Sequence, residues 1–261
     1  MWSFTESEFF VLWQDILKEN LPLPFLYTSR NKARDAFDEE MRQARESVEQ
    51  TLDARTREMI AAASSPDLYL AVSAWNEQTP LEPSELIRIL AVRQGSKGYV
   101  LTQKIGESFW YGAGYSVVEC DPLRISDEVV SALPEVSAGQ QGDIVLAAAA
   151  DESYEYEYGR SSIVDVSAPS TETRSARFMS APTDRAGEIV IAQGRSIYGP
   201  RGVTQRVLGW RDLRDDGRYV VADQNPSLAV SADAKRLVTL INSQVADVVR
   251  AIKEEREGIR R

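Results

Sequence analysis

The sequence contains no histidine and a single cysteine, Cys120, in 261 residues. These two scarcities exclude a Ser-His-Asp triad, a Cys-His dyad, a zinc finger and an internal disulfide. Apolar runs are also short: the longest, residues 144–150, falls far below the roughly 18 residues of a membrane span. The opening Met-Trp-Ser-Phe-Thr-Glu has neither the positive segment nor the apolar core of a secretory signal, so a cytoplasmic protein is expected. Positive charge is in the minority, with 30 basic against 40 acidic side chains and a net charge of −10, which disfavours nucleic acid and anionic membranes as partners. What remains is 43% hydrophobic, enough for a sizeable core in one domain or two fused halves.

Thr5-Glu-Ser-Glu8 has the form of a capping box, Phe4 and Phe9 sit at staple positions, and Phe9, Trp13, Ile16 and Leu17 follow at helical spacing. A first helix to about Asn20 is predicted. Prolines at alternate positions in Leu21-Pro-Leu-Pro24 exclude helix and predict a short extended strand over 21–28 at a sheet edge. A thin apolar stripe of Ala33, Phe37, Met41, Ala44, Val48, Leu52, Met59 and Ile60 predicts one long helix over 32–63, or two joined near Leu52-Asp53.

After Pro66 the period changes. Residues 68–75, 86–92, 99–105 and 115–119 are rich in β-branched and aromatic residues and read as antiparallel strands, closed by a short helix capped by Ser126 and ending at Leu133-Pro134. Signals are sparse over 135–185 apart from a helix from Ser170 to Met179. Strands follow at 188–192, 203–210, 219–222 and 228–230, with a hairpin turn at Asp215-Asp-Gly-Arg218, before a helix over 232–255. Four strands and a helix thus occur twice, each set with a basic, glycine-bearing turn (Arg93-Gln-Gly-Ser-Lys97 and 195–201). The repetition reads as a degenerate internal duplication with halves of about 1–134 and 135–261.

Reactive chemistry finds little support. No Gly-x-x-x-x-Gly-Lys loop occurs, and Gly112-Ala-Gly114 lacks the third glycine of a dinucleotide turn and reads as a glycine turn between strands. No Gly-x-Ser-x-Gly elbow exists, and the six lysines have no obvious serine partner. Paired carboxylates leave little local signature, so Glu155 and Glu157, among the tyrosines of 154–158, stand as candidates for a carboxylate-based hydrolase beside the plainer reading of a solvated edge. Asp212, Asp215 and Asp216 miss the alternate ligands and closing glutamate of a calcium loop and read as turn residues. Cys120, between Glu119 and Asp121, reads as an unreactive sheet cysteine. Trp75, Trp110 and Trp210 are expected to complete the core near strand ends, although partner sites also favour tryptophan. No catalytic residue, cofactor site or metal site is expected.

The order Phe4-Thr-Glu-Ser-Glu-Phe-Phe-Val-Leu-Trp13, Leu21-Pro-Leu-Pro24 and a charged helical stretch ending at Ser65-Pro-Asp67 before a strand resembles the opening of the EspG family, cytosolic chaperones of actinobacterial type VII (ESX) secretion. Glu188-Ile-Val-Ile-Ala192, a basic turn, the segment 203–213, the Asp-Asp-Gly-Arg-Tyr-Val-Val hairpin of 215–221, a strand and one long helix resemble its close. One departure is Thr51-Leu-Asp-Ala54, which stands where the family often has a Leu-Gly-Leu-like break; the early helices are therefore expected to join more continuously.

The resemblance implies an α/β (α+β) fold: a quasi-two-fold, mostly antiparallel central sheet built from two related halves and flanked by N- and C-terminal helical bundles. It also implies a non-enzymatic, ATP-independent chaperone without cofactor. Such a protein binds the tip of the PPE subunit of a PE-PPE heterodimer, keeps it soluble and directs it to its secretion system. Exposed strand edges in a sheet of this kind can pair with themselves, so a monomer or weak homodimer is expected. The implied contact lies on the sheet, the C-terminal helical part and the loop between the second and third strands, here 76–83, with Leu81 as apolar anchor and Gln78 and Glu82 as polar rim. Trp210 and Arg211 are a second expected contact. An adaptor of the same fold binding another helical, WXG100-type partner remains an alternative, as does the hydrolase.

Overall fold

A computed structural model describes residues 1–17, 20–147, 170–222 and 227–258. The chain runs β1 (Trp2–Phe4), α1 (Glu6–Leu12), a π-helical turn (Trp13–Leu17), α2 (Arg34–Thr51), α3 (Ala54–Ser64), β2 (Leu68–Trp75), β3 (Ile87–Gln94), β4 (Lys97–Ile105), β5 (Gly112–Cys120) and α4 (Ile125–Ser131). It continues through β6 (Ile144–Val145), α5 (Thr171–Ser180), β7 (Thr183–Gln193), β8 (Gln205–Leu213), β9 (Gly217–Ala222), β10 (Leu228–Ser231) and α6 (Ala234–Gly258). All ten described strands join one antiparallel sheet in the order β1-β5-β4-β3-β2-β7-β8-β9-β10-β6: each half contributes a sequential run of four, β2 to β5 and β7 to β10, the two runs meet at β2 and β7, and β1 and β6 add the edges.

Side-chain alternation along the central strands divides the interior in two. Leu68, Leu70, Val72 and Ala74 of β2 join Ile89, Ile189, Leu208, Trp210 and Val220 beneath α4 and α6, whose Val129, Leu237, Ile241 and Val248 complete that core. Ala71, Leu90, Val92, Tyr99 and Leu101 project to the opposite face, where Phe9, Met41, Val48, Met59 and Ile60 of α1 to α3 cover them. Phe9 stacks on Tyr115 with ring centroids 4.0 Å apart, and each such buried ring stabilises the fold by about 1.5–3 kcal/mol. On the same face at the far end, Phe178 of α5 packs on Tyr219, Leu213 and Ile144. Between these two covers, Ser73, Val190, Val207 and Gly209 stay half-buried and Glu188 is exposed.

Local signals account for many boundaries. The Thr5 hydroxyl accepts from the Glu8 amide at 3.2 Å, and the Glu8 carboxylate accepts from the Thr5 amide at 2.8 Å. Asp53 caps α3 by accepting from the Thr56 amide at 2.7 Å. The early helices are therefore separate, and the expected continuous join gives way to a break stabilised by aspartate in place of glycine.

Other expectations need correction. Residues 21–28 pair with no strand; the Leu26 amide donates to the Gln103 side-chain oxygen at 3.2 Å, and Gln103 Nε2 donates back to the Leu26 carbonyl. A side-chain amide thus stands in for a neighbouring strand. Ser126 does not cap α4 but lies buried in its first turn, after Arg124 at the cap position. Gly112 and Gly114 lie within β5 instead of forming a turn. A Cβ on Gly112 would sit 1.8 Å from the Glu6 carboxylate, and that close approach is what the glycine permits. The short edge strands β1 and β6 carry no clear local signal.

Candidate partner-binding surface

Among the described residues no helix covers the strip of sheet around Ser73 and Glu188, which deepens into a cleft of about 440 Å³ beside the β2–β3 loop. Leu23, Pro24 and Leu26 form one wall, Pro80, Leu81 and Leu86 another, and Ser73, Trp75, Ile87, Arg88, Phe109 and Glu188 complete the floor and end. Exposed apolar side chains crowd this region: Leu23 is 78% exposed, Leu81 57%, and Trp110, next to Phe109 in sequence, 57%. Clustered apolar exposure of this kind marks an interaction surface more than scattered residues do.

A buried polar network holds the walls. Arg88 donates from Nη1 to Gln103 Oε1 at 3.3 Å and from Nη2 to the Phe109 carbonyl at 2.6 Å, with its guanidinium over the Phe109 ring. Gln103 donates to Glu6 Oε1 at 3.1 Å, and Tyr115 donates its hydroxyl to the Leu26 carbonyl at 3.3 Å. Burial pushes the Glu6 carboxyl above its ordinary value, against the pull of Gln103, the Gly112 amide and Arg30. Burial also lowers the Arg88 guanidinium and raises the Tyr115 phenol. Arg30 closes the outside, bonding Glu107 at 2.7 Å and the Gly112 carbonyl at 3.0 Å.

The loop itself is anchored at its base. Asn76 donates to the Asp184 carbonyl and accepts from the amides of Gln78 and Thr79. Glu77 takes two hydrogen bonds from Arg211, at 2.7 and 3.2 Å, and one from the Thr183 hydroxyl at 2.8 Å. Burial works to raise the Glu77 carboxyl, but these bonds win and hold it below the usual carboxylate range.

Leu81 stands at the rim, and Gln78 and Glu82 are exposed on the same loop. Arg211 is half-buried and committed: besides Glu77 it donates to the carbonyls of Phe178 and Ala181, tying the loop to the end of α5. Trp210 does not reach this surface. It is 2% exposed, points into the α6-side core and lays its ring over Gly187. Trp110 departs from its expected core role by standing exposed, whereas Trp75 is half-buried at the cleft. Leu23, Arg88, Phe109 and Glu188 were not foreseen as site residues; for Leu23 the signal was present in the Leu-Pro-Leu-Pro segment itself.

Glu155 and Glu157 lie outside the described residues. Among the described residues no group of His, Cys, Asp and Glu is placed to hold a metal ion, and no helix is long and apolar enough to cross a membrane. Asp212 is not a turn residue but a buried partner of Arg218 on β8. Cys120 is half-buried at the end of β5; burial, with Glu128, Asp121 and Glu119, pushes its thiol up to about 11.

Comparison with known proteins bears on what such a surface is for. The chain is similar in structure to the Mycobacterium tuberculosis type VII secretion system chaperone EspG5, solved in complex with a PE25-PPE41 dimer, with a TM-score of 0.54 and 13% identity over 95% of this chain and 96% of that one. At that identity the likeness establishes a shared fold. No curated protein matches. The model of the EspG family matches residues 5–243, nearly the whole sequence, and the chain belongs to that family.

Proposed function

We propose that this protein is a non-enzymatic chaperone of type VII secretion that binds the tip of the PPE subunit in a PE-PPE dimer, keeps it soluble in the cytoplasm and directs it to its secretion system. The observation that carries the reading is the cleft on the open strip of sheet, rimmed by the exposed Leu23 and Leu81 in a fold shared with a chaperone solved on such a dimer. A helical tip with apolar side chains aggregates unless covered, and a net charge of −10 keeps the covered complex soluble. Leu81 serves as the apolar anchor, with Gln78 and Glu82 as its rim; Arg211 contributes by fixing the loop.

The same reading takes residues 1–134 and 135–261 as halves of a duplicated unit, supported by the matching runs of four strands on either side of β2–β7. The matching order pairs the β2–β3 loop with the β7–β8 loop. The edge strands are three and two residues long, which limits edge-to-edge pairing and favours a free monomer.

Co-expression with PE-PPE pairs from the same genome, followed by size-exclusion chromatography with mass measurement, tests the proposal. A 1:1:1 peak with one pair and not others is expected. Separate elution of every pair would reject it, and capture of a WXG100-type dimer instead would make the protein an adaptor of the same fold.

A further inference from the structure

A row of side chains crosses the sheet at the bottom of the cleft. Ser73 of β2 is in register with Arg88 of β3 on one side and Glu188 of β7 on the other, and Glu188 in turn faces Gly209 of β8. The two charged members of this row differ. Arg88 is 5% exposed and its guanidinium is bonded to Gln103 and the Phe109 carbonyl. Glu188 is exposed, and among the described residues no side chain bonds to it or pairs with it. Among the described residues the floor beside it is bare: a Cβ built on Gly209 would meet nothing closer than the Gly187 and Val221 carbonyls at 3.9 Å.

In the free protein, water satisfies that carboxylate. Once an apolar tip fills a cleft lined by Leu23, Leu81 and Phe109, the water is displaced, and an unpaired carboxylate there costs binding energy. The compensating charge has to arrive with the partner, and the open floor at Gly209 leaves room for a long side chain to lie along the sheet.

We propose that Glu188 is the charged anchor of the cleft, and that the segment it receives is an apolar helical tip carrying a lysine or arginine that pairs with it. The inference rests on the function proposed above and specifies the chemistry of the partner: leucine-like side chains against the rim, one cation against Glu188. Pairs whose tip lacks that cation are refused because they would leave the carboxylate buried and unpaired, which makes Glu188 a determinant of client choice.

The test measures affinity for the co-purifying PE-PPE pair with the wild type, Glu188→Gln and Glu188→Lys, after circular dichroism melts confirm that the variants fold. Binding should weaken about tenfold for Glu188→Gln and about thirtyfold or more for Glu188→Lys, with added salt weakening the wild type more than Glu188→Gln. Exchanging the tip's cation for glutamate should restore binding to Glu188→Lys, a rescue that a merely solubilising carboxylate does not produce. If the wild type binds a pair and Glu188→Lys binds it equally well, the anchor is overturned while the chaperone reading stands. If the wild type binds no pair, the chaperone reading falls and the anchor with it.

Discussion

Arg218 and Asp212 meet fork to fork across the β8–β9 hairpin, Nε to Oδ1 at 2.6 Å and Nη2 to Oδ2 at 2.9 Å, with side chains 2% and 5% exposed. Nη2 also donates to the Pro134 carbonyl at 3.1 Å, and the Arg218 amide donates to the Ser137 carbonyl, so the pair fastens the chain leaving α4 to the sheet. Asp212→Ala would strand a buried guanidinium, and a loss of about 3–5 kcal/mol is expected in urea denaturation. Arg218→Lys should also destabilise, since an ammonium does not reproduce the two-pronged contact. A change below about 1 kcal/mol for Asp212→Ala would mean that the pair contributes little to the fold.

Glu6 sets a pH dependence of its own. Burial raises its carboxyl above 4.5 in the folded protein, so the folded state holds that proton more tightly than the unfolded one. The contribution is therefore favourable below 4.5 and is lost as pH rises through the folded value. Comparing wild type with Glu6→Gln cancels the other titrating groups: the wild type should lose melting temperature relative to the variant between about pH 4 and pH 7. A difference that stays flat or moves the other way would show that Gln103 and Arg30 outweigh burial.

Much of the fold was legible because its signals are local. The Thr5 box, the β8–β9 hairpin signalled by Asp215-Asp-Gly217, with its turn at 214–216, and the period-two strands each rest on residues within one turn or one strand. What was hidden depends on distant partners. Trp2–Phe4 is a strand because it lies against Val117, Ser116 and Tyr115, and residues 21–28 are held by a glutamine 77 positions from Leu26. The placement of Trp210 was within reach: it shares parity with Leu208, and both enter the α6-side core. Glu188 was not, since a single glutamate opening the apolar run Ile-Val-Ile-Ala carries no local cue, and its position on a strip that no described helix covers follows from where α1 to α3 stop and α5 begins.

The lone cysteine offers a clean chemical probe. With its thiol raised from 9.0 to about 11, Cys120 carries about a hundredfold less thiolate near pH 8 than an ordinary thiol. Alkylation of the folded protein by iodoacetamide, followed by mass spectrometry, should be slower by about that factor, and its rate should still be climbing at about pH 10. Rapid modification near pH 8 in the folded state would place the thiol in a far more open or electropositive setting than the end of β5 provides.

Leu81 separates binding from folding. Its side chain is 57% exposed at the rim of the cleft, whereas the loop is held through Asn76 and Glu77, so the fold asks little of Leu81 itself. Leu81→Asp should leave the melting temperature nearly unchanged, within about 0.5 kcal/mol of wild-type stability. Placed against an apolar tip, the same aspartate both removes the anchor and buries a charge, and the complex should weaken by about 2 kcal/mol or more, roughly thirtyfold. Titration calorimetry of wild type and variant with the co-purifying PE-PPE pair measures the difference. Unchanged affinity would remove the β2–β3 loop from the contact and shift the interface toward the open strip of β7 and β8, where Val190 and Val207 lie half-buried.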